Sequence, residues 1–481
     1  MYFKLKSELL LRGWEKLPYA IVNTKYAMPA FISSNEMEVL QLCNGRIDFS
    51  LPLISKTIRE MAVRFEKAGI VEQCEKGDSI RPEQEYHLYP ARYINTAHWS
   101  VTGRCNYRCK HCYMSAPDAK LGELSHEMAM KMVDELAECG IMSVTLTGGE
   151  ALVRSDFLEI VDALLEKNIH ISTIYSNGAL VNEELLKSLE ERRIHPEFNM
   201  SFDGIGWHDW LRGIKGAEKT VDRAFRLCRD MGFPTGAEMC LHDQNKHTLR
   251  ESVLYLGSVG CRKLKTNPVS DIGEWKKTGL GRTLSLEELY QLYLDYVSDY
   301  YEDGMPLAIQ LGGFFSANPR QPREYDIPMY KFASDPSSIC ACSHARQVMY
   351  ISPEGRLLPC MALSGMDIQN LFPLATEKGL VQCLTDSFYL DFINTRAEKI
   401  LTHNPEYAEC RFRTWCLCGC RASGLEFSEG TDLYHRDEAC CALYCGGWIS
   451  KLIEKMKKLH PDITSPGSKD KELMDALKAS A

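Results

Sequence analysis

Three cysteines stand within eight residues, Cys105-Asn106-Tyr107-Arg108-Cys109-Lys110-His111-Cys112, at the spacing C-x3-C-x2-C. Thiolates are the usual ligands of iron–sulfur clusters, and protein-bound cubanes ordinarily take four of them. Three sulfurs from one short loop can each bind one iron of a cubane and leave a fourth iron without a protein ligand, a position open to chemistry. A strand-like run, Ile94–Val101, leads into the loop.

Such a loop needs a scaffold that ends strands beside it. Six β-like runs follow one another at 94–101, 142–147, 170–175, 197–202, 236–241 and 262–267. Amphipathic helices are predicted after them at about 125–138, 155–167, 182–192, 217–231, 246–258 and 285–302. Successive βα units imply an α/β fold with a parallel sheet and right-handed crossovers. In such folds chemistry gathers at the C-terminal strand ends. The second strand ends at Gly148-Gly149-Glu150, where glycine lets backbone approach closely and Glu150 supplies a carboxylate that can pair with an ammonium. The third ends at Ser176-Asn177-Gly178 and the fourth at Ser201-Phe202-Asp203-Gly204.

Together these motifs resemble the radical S-adenosylmethionine enzymes. The resemblance implies a partial (β/α)6 barrel over about 94–302 and a 4Fe–4S cluster on Cys105, Cys109 and Cys112. It also implies S-adenosylmethionine chelated at the open iron and cleaved to a 5′-deoxyadenosyl radical that removes a hydrogen from an unactivated carbon. By the same resemblance Gly148, Gly149 and Glu150 hold the cofactor's amino group, with Ser176 and Asn177 close by, and Ser201 and Asp203 lie at its ribose or carboxylate. His111 is expected near the adenine, or as a donor to a cluster sulfur. Arg212 is either a partner of the cofactor carboxylate or a surface arginine. Ala151 and Ser176 depart from the family's usual proline and threonine. Glu238 can face the barrel interior. No residue is assignable as catalytic acid or base.

Composition limits the remaining readings. With 45% hydrophobic and 25% charged residues the 481-residue chain is ordinary for a multidomain globular protein. A net charge of −9 disfavours nucleic acid or a membrane surface as partner. The start of the chain lacks an apolar signal-peptide core, no run is long enough to span a membrane, and a cytoplasmic location is expected. Twenty cysteines in a long chain point to metal binding in a reducing compartment rather than to disulfides.

Residues 1–80 read as a small winged-helix domain. Strands are expected at Tyr19–Asn23, Tyr26–Met28 and from Ile70, with a capping box at Ser33–Glu36 opening one helix and a second helix over Leu53–Lys67. Its eleven lysines and arginines nearly balance ten acidic residues, so DNA binding lacks the required basic stripe. The segment resembles the peptide-recognition element of maturases of ribosomally made peptides, whose leader adds a strand to the sheet edge. Residues 81–93 read as a linker and 303–339 as an irregular bridge.

The second cysteine field, over 340–460, resembles a SPASM domain with two auxiliary 4Fe–4S clusters, three in all. A hairpin is expected with Val348–Ile351 and Arg356–Pro359 as strands. The first cluster is expected on Cys342, Cys360 and Cys420, with Cys340 a possible fourth ligand. The second is expected on Cys410 and Cys416 with two of Cys418, Cys440, Cys441 and Cys445. Tyr407 stands where the family's pattern has another cysteine, and structural zinc at one site is the alternative. A last helix is expected at 448–459, then a tail at 461–481.

The resemblance thus implies a maturase that binds a precursor peptide, receives electrons from an external donor, and installs a crosslink, a cysteine thioether being the leading form. Carbon–carbon crosslinking, epimerisation, sulfatase-maturase-like protein oxidation and a non-catalytic electron carrier are the other readings.

Overall fold

The computed structural model describes residues 1–24, 28–114, 116, 120–279, 281–329, 333–342 and 344–460. The chain opens with β1 (Tyr2–Leu5), β2 (Leu9–Glu15), β3 (Leu17–Asn23) and β4 (Met28–Phe31). Two helices follow, α1 (Ser34–Leu42) and α2 (Lys56–Lys67), then β5 (Val71–Cys74) and β6 (His87–Arg92). The predicted capping box is present, with the Ser33 side chain accepting from the Glu36 N–H and Glu36 accepting from the Ser33 N–H. The α1 helix ends at Cys43, two residues before Gly45. Part of the expected Tyr26–Met28 strand lies outside the described residues.

The first ninety residues form two sheets, β1 against β5 and a four-stranded sheet in the order β4-β3-β2-β6. The segment read as a linker is therefore built into the fold. β6 pairs parallel with β2, and the buried Arg12 guanidinium donates to the Glu83 and Glu85 carbonyls at 2.7 and 3.1 Å. Pro90 misled the sequence reading, but a strand at a sheet edge tolerates a missing N–H. Trp14, fully buried, stacks on Tyr89 with ring centroids 5.5 Å apart.

The main sheet follows in parallel order through β7 (Thr96–Ser100), β8 (Ser143–Thr147), β9 (His170–Ser176), β10 (Glu197–Ser201), β11 (Thr235–Leu241), β12 (Lys263–Pro268) and β13 (Ala308–Leu311). Its helices are α3 (His126–Glu138), α4 (Phe157–Glu166), α5 (Glu183–Glu191), α6 (His208–Arg212), α7 (Ala217–Asp230), α8 (Leu249–Ser258), α9 (Gly273–Thr278) and α10 (Leu286–Glu302). The six expected βα units fall within a few residues of these bounds. The bridge expected at 303–339 is instead partly sheet. β13 is a seventh parallel strand, and β14 (Phe315–Ala317) and β15 (Tyr325–Asp326) extend it antiparallel.

Alternation along these strands separates two environments. Met200, Ala237, Leu264 and Ile309 are aligned across four strands and buried in the core. A fully buried side chain of this size contributes about 1.5–3 kcal/mol. The next positions, Tyr175 with Asn199 and Glu238 with Lys265 and Gln310, supply polar groups to the lining of a cavity of about 470 Å³. The sheet thus has one apolar face under helices and one polar face that can hold a substrate.

On the other side of β7 the expected hairpin forms. β16 (Val348–Ile351) pairs parallel with β7, and β17 (Leu357–Leu358) returns antiparallel. Short helices carry the chain on to a last helix, Trp448–Leu459, as expected. The expected tail, 461–481, lies outside the described residues. Among the described residues no helix is long and apolar enough to cross a membrane.

Candidate active site

The cysteine loop is clamped through its backbone from several sides. Glycines 148 and 149 pack directly on it: a Cβ on Gly148 would lie 2.6 Å from the Thr102 carbonyl oxygen, and one on Gly149 2.4 Å from that of Arg104. The same turn donates the Gly149 N–H to Thr102 and the Glu150 N–H to Arg104, both at 2.9 Å. From the opposite side α6 accepts the Lys110 N–H at the Leu211 carbonyl, 2.9 Å, and the Arg108 N–H at the Arg212 carbonyl, 3.3 Å. Gly213 ends α6 at φ 66°, and any Cβ there would strike the Arg108 carbonyl oxygen at 2.3 Å. The Glu274 N–H holds the Cys112 carbonyl at 3.0 Å.

Each sulfur of the loop faces a donor. The Tyr107 N–H lies 3.3 Å from the Cys105 Sγ, the Ala116 N–H 3.4 Å from that of Cys112, and Arg212 Nη1 3.7 Å from that of Cys109. Donors converging on sulfur suit thiolates rather than thiols. Burial first, then the neighbouring Cys109, Glu150 and Cys112, push the Cys105 thiol up to about 12 against the Tyr107 N–H, so the thiolate form calls for a cation held by the sulfurs. The three residues fit a cubane with one open iron.

Glu150 is the second element. Its carboxylate is 1% exposed and accepts from the Leu152 N–H (3.2 Å), the Ser176 hydroxyl (3.0 Å) and the Asn177 N–H (2.7 Å). No cationic side chain pairs with it among the described residues, and burial pushes its carboxyl up to about 7 against those three hydrogen bonds. Asn177 also donates to Asn106 Oδ1 at 2.7 Å, tying the third strand end to the cysteine loop. Gly148, Gly149, Glu150, Ser176 and Asn177 thus converge with the loop. Asn106 belongs with them and was not anticipated, since an asparagine in a loop carries no signal of its own.

Asp203 and Arg212 serve each other. Asp203 is fully buried, and Arg212 donates to it from Nε at 2.6 Å and Nη2 at 3.1 Å. The surface alternative for Arg212 is overturned, because the side chain is buried beside the cluster loop. The Cys240 N–H also binds Asp203, at 3.0 Å. A ring nitrogen of His111, an Asp203 oxygen and Cys240 Sγ all lie within 4.8 Å of one another. Burial, followed by Arg212, pushes His111 down to about 3, so the ring is neutral. Ser201 sits half-buried at the end of β10, in register with Glu238 on the polar face.

The second cysteine field separates into two groups. Burial and then the neighbouring Cys420 and Cys342 push the Cys360 thiol up to about 12, which sets these three together as expected. Cys340 lies apart from the groups that act on Cys360; its Sγ accepts from Arg346 at 3.1 Å and Arg396 at 3.5 Å. If an auxiliary cluster sits on Cys342, Cys360 and Cys420 and the two arginines keep Cys340 out of it, Cys360→Ala lowers the iron content and Cys340→Ala leaves it unchanged; equal losses in iron and sulfide assays of reconstituted protein would make Cys340 the fourth ligand.

Around the other group Cys416 pairs with Cys440 and Cys410 with Cys445, while Cys441 faces Cys416. Tyr407, at the position of the missing cysteine, meets the Cys441 sulfur with its hydroxyl at 3.5 Å. Cys418, fully buried, donates to the Ala397 carbonyl at 3.7 Å and also lies near Tyr407. One buried carboxylate joins the groups: Asp437 accepts the Cys420 N–H at 2.8 Å and the Cys440 N–H at 3.2 Å.

A parallel sheet with a polar inner face, three donor-capped sulfurs over its strand ends and a buried carboxylate with no cationic partner among the described residues form the arrangement that a radical S-adenosylmethionine domain needs to hold a 4Fe–4S cluster and S-adenosylmethionine. Comparison with known proteins agrees: residues 99–256 match the Radical SAM superfamily, so the chain carries a radical SAM domain. It is 25% identical over 355 residues to the antilisterial bacteriocin subtilosin biosynthesis protein AlbA of Bacillus subtilis, covering 72% of this chain and 70% of that one. It is also 25% identical over 368 residues to the PqqA peptide cyclase of Granulibacter bethesdensis, covering 75% and 91%. In fold it is similar to Streptococcus suis SuiB bound to the precursor peptide SuiA, with a TM-score of 0.61, 16% identity, and 91% and 99% of the two chains covered.

Proposed function

We propose that this enzyme is a maturase of a ribosomally made peptide and installs a thioether from a peptide cysteine to a carbon. The observation that carries the crosslinking reading is the packing of the second cysteine region on Tyr113, next to Cys112: a Cβ on Gly365 would lie 3.0 Å from the Tyr113 carbonyl oxygen. Burial first, then Tyr350, Cys112, Glu238 and Cys360, push the Tyr113 hydroxyl well above the usual range. This half-buried side chain thus stands near residues of the cysteine loop, the polar sheet face and the first auxiliary cysteine group. A peptide held on that face would have both the radical source and an acceptor for the released electron in its neighbourhood.

When bound, S-adenosylmethionine at the open iron supplies the 5′-deoxyadenosyl radical that takes the first hydrogen. The chain's part is to hold the peptide, exclude water and keep the radical from its own side chains. Glu150, Ser176 and Asn177 fix the amino end of the cofactor. With Cys340 held by arginines, the first auxiliary group offers three thiolates, Cys342, Cys360 and Cys420, and can accept the peptide's own cysteine as a fourth. Cys410, Cys416, Cys441 and Cys445, with Cys440 beside them, suit a second auxiliary cluster. An external donor supplies the electrons, and the reducing cytoplasm suits this thiol inventory.

The small N-terminal domain supplies peptide recognition. β4 is an edge strand, and Met28 and Phe31 on it are 67% and 45% exposed. An extended leader can add there as a further strand. The names of the relatives, a bacteriocin biosynthesis protein and a peptide cyclase, and the precursor peptide bound to SuiB support the same substrate class.

Two experiments test this. Incubating the reconstituted enzyme with any short cysteine-containing peptide found encoded beside its gene is expected to give a product lacking two hydrogens whose cysteine no longer alkylates. A product of that mass with an alkylatable cysteine favours carbon–carbon closure, and an unchanged mass with inverted stereochemistry favours epimerisation. Removing residues 1–93, so that β6 leaves together with its partner β2, is expected to weaken peptide binding at least about tenfold, or 1.4 kcal/mol. The cleavage of S-adenosylmethionine should stay within about twofold; undiminished peptide affinity would remove the leader-binding role.

A further inference from the structure

We propose that Arg212 is a positioning residue for the radical SAM cluster, donating its Nη1 edge to the Cys109 sulfur and so raising the cluster's reduction potential. The proposal rests on the radical SAM reading of the cysteine loop and adds a role for a side chain outside it. Arginine presents five N–H donors in a rigid plane. Here one edge is taken by Asp203, with Nε at 2.6 Å and Nη2 at 3.1 Å, which leaves Nη1 turned to Cys109 Sγ at 3.7 Å. Three of the five N–H groups are thus engaged, two by Asp203 and one by the Cys109 sulfur.

The orientation of this plane is fixed from behind. The Asp203 carboxylate accepts the Cys240 N–H at 3.0 Å, and its main-chain carbonyl accepts Asn245 Nδ2 at 2.9 Å. His208 Nδ1 lies 3.3 Å from the second carboxylate oxygen. The Arg212 main chain meanwhile accepts the Arg108 N–H within the cysteine loop itself, and Gly213 lets the helix end approach that closely. One residue thus touches the loop through both its carbonyl and its guanidinium. Asp203 neutralises most of the positive charge, so the remaining influence on the sulfur is a directed N–H···S contact. A donor to a cluster sulfur stabilises the more negative, reduced cluster and raises its potential.

The test is an EPR-monitored redox titration of the reconstituted full-length enzyme, following the cluster signal that changes when S-adenosylmethionine is added. In the charge-balanced double variant Arg212→Gln/Asp203→Asn, the ratio of reduced to oxidised cluster is expected to fall about tenfold at the ambient potential where the wild type is half reduced. That corresponds to about 59 mV for one electron. Arg212→Lys keeps the charge but cannot serve both partners at once, and should shift the same way by less. The affinity for S-adenosylmethionine is measured in both variants, which separates a shift in potential from a loss of cofactor binding.

Unchanged potentials in both variants overturn the proposal. So does an unchanged potential with affinity for S-adenosylmethionine lowered tenfold or more, which makes Arg212 a contact of the cofactor. If the double variant does not retain the cluster, Arg212→Lys decides alone. A wild-type protein without any signal responsive to S-adenosylmethionine defeats the underlying radical SAM reading instead, so the two failures are distinguishable.

Discussion

Alanine at Cys105, Cys109 and Cys112 together is expected to reduce 5′-deoxyadenosine formation to background while leaving the fold standing. The loop's shape does not depend on its sulfurs. It is held by the Lys110 N–H on Leu211, the Arg108 N–H on Arg212, the Glu150 N–H on Arg104 and the Glu274 N–H on the Cys112 carbonyl, all main-chain contacts that alanine keeps. The three side chains are only half-buried, so the cluster-free variant should unfold within about 1 kcal/mol of the cluster-free wild type. Iron should fall by about four atoms per chain, the content of one cubane, with the remainder retained by Cys342, Cys360, Cys420 and the group around Cys416. Formation of 5′-deoxyadenosine at the wild-type rate would show that the chemistry does not start at this loop. Wild-type protein that forms none despite a full iron load would favour an electron carrier.

The comparison of these two cysteine fields shows what a sequence can and cannot carry. The first was legible because its three ligands are local, and because each strand end that serves it follows a βα unit with its own periodicity. Strands β8 to β12 were readable from their apolar outer positions alone. β13, β14 and β15 were not. They are two to four residues long, and they exist because β12 and then one another supply hydrogen-bond partners. The hairpin of β16 and β17 was readable from its turn, but its place beside β7 was not, since that pairing joins Val348 to Thr96.

Ligand choice in the second field stayed open for a similar reason. Cys340 and Cys342 are indistinguishable by spacing, and what separates them is Arg346 and Arg396, whose approach to one sulfur only the folded chain reveals. Arg212 was ambiguous in the same way. Its partner Asp203 lies on the preceding strand end, and nothing in the intervening residues announces that the two side chains close on each other. Where a site is assembled from neighbours in sequence, motif and geometry coincide; where charge partners are recruited across elements, composition is silent.

Replacing Glu150 by glutamine carries the other large effect, and its sign depends on pH. In the native protein the carboxyl titrates at about 7, against an ordinary 4.5, because burial outweighs the three hydrogen bonds it accepts. The folded state therefore binds this proton more tightly than the unfolded chain. Stability from this group is fully present below the unfolded value and is lost as pH rises from about 4.5 through 7, reaching a cost of about 3 kcal/mol. Glutamine does not titrate, so the stability of cluster-free wild type relative to Glu150→Gln should fall by about that amount between pH 5 and pH 8 in denaturant melts. The amide brings its own difficulty. With its oxygen facing Ser176 and Leu152, its NH2 meets the Asn177 N–H, donor against donor, where Glu150 accepts at 2.7 Å. That mismatch costs about 1–3 kcal/mol at any pH. For the cofactor the loss is of a charged acceptor in a buried site, about 1.5–3 kcal/mol, so the dissociation constant of S-adenosylmethionine should rise roughly ten- to a hundredfold at pH 8. Unchanged affinity in titration calorimetry would detach Glu150 from the cofactor's amino group. A pH-independent stability difference would mean that the carboxylate already carries a cationic partner.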